Sequence, residues 1–278
     1  MGLCSVEHLI TETNIVVFAP HFDDVLFMLG GYILEMKAKG LLGTKRFHVQ
    51  LIFPRSNYLA RTGVENSDIS LDRLKLVTGK RLIEDLECLD ELMGVGGYCY
   101  ELATERECLA RGKSLANSEM EFPHGMYDDF DANDRAIFSR IKDRVRLWAV
   151  QQDTALVFPM AIKEHIDHFI VREAGVCVAA EFSANASSTF YFQEDKPYGG
   201  IASVEELKRI EGFLANHTIE VKDYEYDAEG VITLAFKHYI SQVEEVYRKG
   251  ILNRAEQLRV ANGSCRPCDR LGKLTLCK

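Results

Sequence analysis

His21, Asp23 and Asp24 stand together in PHFDD at 20–24, and His165, Asp167 and His168 in HIDH at 165–168. Two adjacent carboxylates beside an imidazole repel one another and resist desolvation unless a cation relieves both. A divalent metal does that. Because the backbone turns neighbouring side chains apart, one of Asp23 and Asp24 can ligate while the other faces a reacting water. His165 and His168 span the end of a loop and the first turn of a helix, so one can ligate and the other face substrate, and Asp167 can orient a histidine. Two imidazoles and one carboxylate make a common catalytic zinc set, with positions left for water and a substrate carbonyl. Taken singly, each cluster has a plainer reading: PHFDD as a helix N-terminus whose acids complement the dipole, and HIDH as a solvated loop. Their joint occurrence at strand ends favours the metal.

The elements that must position these residues are legible around them. Asn14 to Ala19, Phe47 to Phe53 and Ala155 to Phe158 are short apolar runs, each followed by a proline (Pro20, Pro54, Pro159) where a strand would leave its sheet. Helical patterns cover about Val25 to Lys39, Ser70 to Met93, Asp134 to Gln151 with Asp134 as N-cap, and His168 to Phe182. Alternation of this kind predicts an α/β, Rossmann-like fold, a mainly parallel sheet flanked by helices, in a single domain spanning 1–278. In such a sheet ligands bind beyond the carboxyl ends of the strands, where both clusters fall. The last third predicts an extended segment Thr189 to Gln193 and a capping box from Ser203 to Glu206. A C-terminal hairpin is predicted from Thr218 to Leu234, then a long helix from Ala235 to Val260. After Gly263 no periodicity is visible, and 263–278 reads as a loosely ordered tail.

Bulk properties narrow the partners. The 278 residues are 47% hydrophobic and 27% charged with a formal net charge of -9, ordinary for a globular protein and opposed to a phosphate-backbone footprint, so no nucleic acid is expected. A small neutral or cationic substrate suits that charge better. No apolar run reaches the length of a transmembrane segment and the N-terminus lacks a signal-peptide pattern, so a cytoplasmic location is expected. The eight cysteines are scattered through apolar patterns rather than a disulfide framework. Cys265 and Cys268 form a CxxC with no second pair, and Gly30 and Gly31 lie inside a helix, where they suit close packing better than a phosphate turn.

At the two clusters the sequence resembles the LmbE/PIG-L family of zinc-dependent N-deacetylases, whose motifs read approximately PHxDDxxLxxGG and HPDH. PHFDDVLFMLGG covers 20–31, and RLIEDLECLDELMGV at 81–95 is similar to the family's intervening RxxE helix. YFQEDKPY at 191–198 and KHYISQ at 237–242 resemble later family segments. The similarity spans about 14–245. It implies that His21, Asp24 and His168 bind Zn2+ or another divalent metal, that Asp23 is the general base, and that His165, held by Asp167, stabilises the oxyanion or protonates the leaving amine. It further implies that Arg81 and His124 face substrate, His124 lying in FPHG at 122–125 where the family usually has an acid. Phe22 and Ile166 replace prolines, and Phe22 would add an apolar wall beside the metal. The expected substrate is an N-acylated amino sugar or its glycoconjugate, such as one of N-acetylglucosamine, cleaved to acetate and a free amine. A metal-binding non-catalytic homologue and a metal-dependent phosphoesterase are the competing readings.

Overall fold

The computed structural model describes residues 2–60, 66–113, 130–182 and 187–275. Five parallel strands come first: β1 (Asn14–Ala19), β2 (Arg46–Leu51), β3 (Tyr98–Leu102), β4 (Thr154–Pro159) and β5 (Thr189–Gln193). Parallel neighbours require crossovers. These are α1 (Asp24–Ala38), α2 (Leu71–Met93), α3 (Ala132–Ala149) and α4 (Ile166–Glu181), followed by α5 (Val204–Asn216), α6 (Ala228–His238) and α7 (Glu245–Asn262). Two later strands, β6 (Ile219–Glu225) and β7 (Cys268–Leu274), complete a seven-stranded sheet in the order β3-β2-β1-β4-β5-β7-β6, and both of their pairings, β7 with β5 and β6 with β7, are antiparallel.

Strands buried on both faces should divide their side chains by the two-residue period. Ile15, Val17 and Ala19 of β1 join one apolar cluster, with α1, α2, α6 and α7, while Val16 and Phe18 join the other, with α3, α4 and α5. β1 pairs with β2 on one side and β4 on the other. The chain leaves β1 for a helix on one face and β4 for a helix on the opposite face, so a crevice opens where the carboxyl ends of these two strands lie side by side. Gly30 and Gly31 serve packing, as the sequence predicts: a Cβ on Gly31 would stand 2.5 Å from the Tyr226 ring.

Several C-terminal expectations need correction. Residues 218–234 form no hairpin. Asp227 instead caps α6, accepting the Gly230 N–H at 2.8 Å, and the helical spacing of Ala228, Val231, Ile232 and Ala235 prevails over the turn reading of DAEG. The long helix is two, because Tyr239 leaves the helical region and is held to α2 by its hydroxyl, 2.7 Å from Asp85. The expected loose tail contributes β7, inserted between β5 and β6. Asp269 masks that strand: it is buried, accepting from Lys196 Nζ at 2.6 Å, Tyr224 at 2.7 Å and Gln193 at 3.0 Å. The N-cap of α3 is Asp131, with Asp134 completing a capping box. The described cysteines are free thiols, and no helix among the described residues is long and apolar enough to cross a membrane.

Candidate metal centre

β1 ends at Ala19 and Pro20 releases the chain toward α1. Asp23 occupies the N-cap position, yet its carboxylate makes no capping bond. Asp24 Oδ2 turns back to accept the His21 N–H at 2.7 Å, so PHFDD is not a conventional helix cap. Across the crevice, the link from β4 to α4 carries Ala161, Lys163 and Glu164 at φ 55°, 66° and 56°. These are left-handed conformations that cost a non-glycine residue roughly 1 kcal/mol each. The loop is pinned by Lys163 to Glu206 (3.3 Å), by Glu164 to Arg209 (2.9 Å) and by the Ile162 N–H to Asp195 (2.8 Å). It delivers His165 as the N-cap of α4, its Nδ1 accepting the Asp167 N–H at 3.1 Å.

Asp24 Oδ2 lies 3.4 Å from His21 Nδ1 and 3.3 Å from His168 Nε2, and one donor atom from each of the three residues falls within 4.8 Å of the others. All three are buried. His21, His165 and Asp167 also cluster, but the Asp167 carboxylate is committed elsewhere. It accepts from the Cys108 N–H at 2.8 Å, pairs with Arg111 at 2.7 Å and lies 3.0 Å from His21 Nε2. This revises the expectation that Asp167 holds His165: the carboxylate backs His21, and only the main-chain N–H of Asp167 reaches His165. Arg111 in turn pairs with Asp134 at 3.1 Å, tying this shell to α3.

The electrostatics suit a cation. Around the site Asp23, Asp24, Asp167, Asp195 and Glu107 are buried, and of these the guanidinium groups of Arg81 and Arg111 pair with Asp23, Glu107 and Asp167. Burial opposes protonation of His21, but Asp167 and Asp24 outweigh it and raise its pKa to about 10. An ion entering the site displaces that proton. Burial would raise Asp24, yet His168 and His21 hold it at about 2. Burial raises Asp23 above its ordinary value, Arg81 opposing and Asp24 reinforcing. His165 is pushed well below its ordinary range by burial and by His21, so the ring is neutral. A direct test of fit is His168 Nδ1, buried without a hydrogen-bond partner while Nε2 faces Asp24. A neutral imidazole that ligates through Nε2 carries its proton at that otherwise unused atom. The donor set and the excess of carboxylates fit a divalent ion such as zinc.

His21, Asp23, Asp24, Arg81, His165 and His168 all line one cavity that opens to solvent. Arg81 is buried there, donating to Ser56 Oγ at 2.8 Å and Glu107 at 3.0 Å, with Nη2 3.4 Å from Asp23. Its helix-mate Glu84 is also buried, accepting from Ser241, so the RxxE pair is no surface ion pair. Phe22 is not in the cavity wall; its ring packs in the core, 5.6 Å from the Arg81 guanidinium. His124 lies outside the described residues. Sequence reasoning missed Glu107, Cys108, Arg111 and Asp195, although an acid just past the end of β5 carried the same signal as the two clusters.

No family model and no curated protein sequence matches the chain. Solved structures do. The zinc-inhibited form of a teicoplanin deacetylase superposes with a TM-score of 0.66 at 16% identity, over 96% of this chain and 99% of that one. A deacetylase of the A40926 pseudoaglycone gives 0.63 at 17%, over 95% and 98%. The N,N'-diacetylchitobiose deacetylase of Pyrococcus horikoshii gives 0.51 at 13%, over 97% and 87%. At these identities the likeness is one of fold.

Proposed function

We propose that the chain is a metal-dependent N-deacetylase of the LmbE/PIG-L type that hydrolyses an N-acylated amino sugar or its conjugate, with zinc or another divalent ion held by His21, Asp24 and His168. The observation that carries this reading is the convergence of those three buried donors from two distant segments, beside a second aspartate and a third imidazole on one cavity. The deacetylase activities of the structural neighbours support the same substrate class.

When bound, the ion would polarise the amide carbonyl and acidify a water. Asp23 takes the proton of the attacking water; burial makes it a better base than an exposed aspartate, and Arg81 steadies it at the cavity wall. A main-chain N–H can only donate, so the bond from Asp167 fixes the lone pair of His165 at Nδ1 and its proton at Nε2. His165 therefore donates to the carbonyl oxygen as negative charge develops there. As the C–N bond breaks, the proton on Asp23 passes to the departing nitrogen, giving acetate and a free amine.

The test is acetate release from N-acetylglucosamine conjugates by purified protein, measured as isolated, after chelation and after zinc is restored. Release that vanishes with chelation and returns with zinc is expected. Turnover indifferent to chelation, zinc binding without any acetate release, or phosphate release from an aryl phosphate in its place would overturn the reading.

A further inference from the structure

Each imidazole of the proposed ligand set has a carboxylate at its far nitrogen, but the two arrangements differ. His21 Nε2 meets Asp167 at 3.0 Å, and Asp167 is neutralised by Arg111. His168 Nδ1 faces Asp195 Oδ1 at 3.8 Å, short of a hydrogen bond, and both atoms are buried without a hydrogen-bond partner. The other oxygen of Asp195 is fixed by the Ile162 N–H at 2.8 Å, in the loop that delivers His165. The next residue, Lys196, does not neutralise it, since its ammonium donates to Asp269 and to the Phe27 carbonyl. A buried carboxylate with one idle oxygen costs stability. Its position, directly after β5 and behind a histidine that faces Asp24, gives it a use.

We propose that Asp195 is a positioning residue for the metal centre, accepting the Nδ1 proton of His168 and so committing Nε2 to the ion. The inference rests on the metal reading above. A carboxylate behind a ligating histidine fixes tautomer and ring orientation and makes the imidazole a better donor, and losing one typically weakens metal binding 10- to 100-fold. Asparagine cannot replace it. With one acceptor oxygen it cannot serve both the Ile162 N–H and His168, and its amide turned toward the ring would donate to Nδ1 and drive the proton onto the ligating nitrogen.

Asp195→Asn and Asp195→Ala are compared with the unmodified protein by zinc titration against a chromophoric chelator and by Tm in the chelated state. Zinc affinity should fall about 10- to 100-fold in both variants, while the chelated Tm of Asp195→Asn, whose oxygen still accepts the Ile162 N–H, is unchanged or higher because an idle buried charge has been removed. A purely structural residue would lower both together. Zinc affinity within about threefold of the unmodified protein, or a loss in Asp195→Asn that comes with a lower chelated Tm, overturns the assignment. Unmodified protein that binds no zinc overturns the metal reading and this inference with it, whereas tight binding that survives both substitutions overturns this inference alone.

Discussion

Because α1 begins at Asp24, the two consecutive aspartates leave the backbone in different directions, Asp24 toward two imidazoles and Asp23 toward Arg81. Under the proposed function the divergence gives separate duties to residues of identical chemistry, and substitution should separate them. Asp23→Asn keeps the shape and the ligand set but removes the base, so zinc content should stay near stoichiometric while kcat falls about 10²- to 10⁴-fold. His168→Ala should lose the metal itself. Elemental analysis beside acetate assays distinguishes the two, and a fully active Asp23→Asn protein contradicts the role given to that residue.

At the scale of elements, the site is built where two strand ends meet, and the segments around it are anchored through buried polar groups. Asp85 of α2 accepts from Tyr100 of β3 and Tyr239 beyond α6. Burial raises its pKa to about 8, the two tyrosine hydroxyls opposing. For an acid whose folded value exceeds its unfolded one, the associated stability is full below about pH 4 and is lost as pH rises through about 8. Asp85→Asn, which mimics the protonated form, should match the parent Tm near pH 4 and exceed it by a widening margin up to pH 8. A difference independent of pH would show that the carboxyl is charged throughout. These polar anchors also explain what the sequence concealed. The strands β1, β2 and β4 were readable because apolar runs and terminal prolines agree, and helices α1, α2 and α4 because their helical patterns are continuous. β7 was not, because Asp269 occupies a buried position with three partners contributed by β5, β6 and the loop after β5. The cluster of His21, Asp24 and His168 was legible since each half lies in one short run, whereas Glu107 and Arg111 acquire meaning only when distant segments meet. Which imidazole Asp167 backs depends on side-chain direction, which spacing alone does not determine.

For the molecule as a whole, the late strand decides whether the sheet is complete. β7 joins β5 to β6, and Asp269 within it anchors Lys196 beside the cavity. Ending the chain at Gly263 would expose the edges of β5 and β6 together and strand the Lys196 ammonium in an apolar setting. The shortened protein should be insoluble or lack a cooperative thermal transition by circular dichroism; a soluble product with the parent Tm would mean that β7 is dispensable. The same topology dictates an order of assembly. During synthesis β6 emerges before the only strand that bonds it to the rest of the sheet among the described residues. Until β7 arrives, the ribosome-bound chain carries an open seam beside β5, next to the residues that back the candidate site, so nascent protein is expected to be most vulnerable to mispairing and most dependent on holding chaperones during that interval.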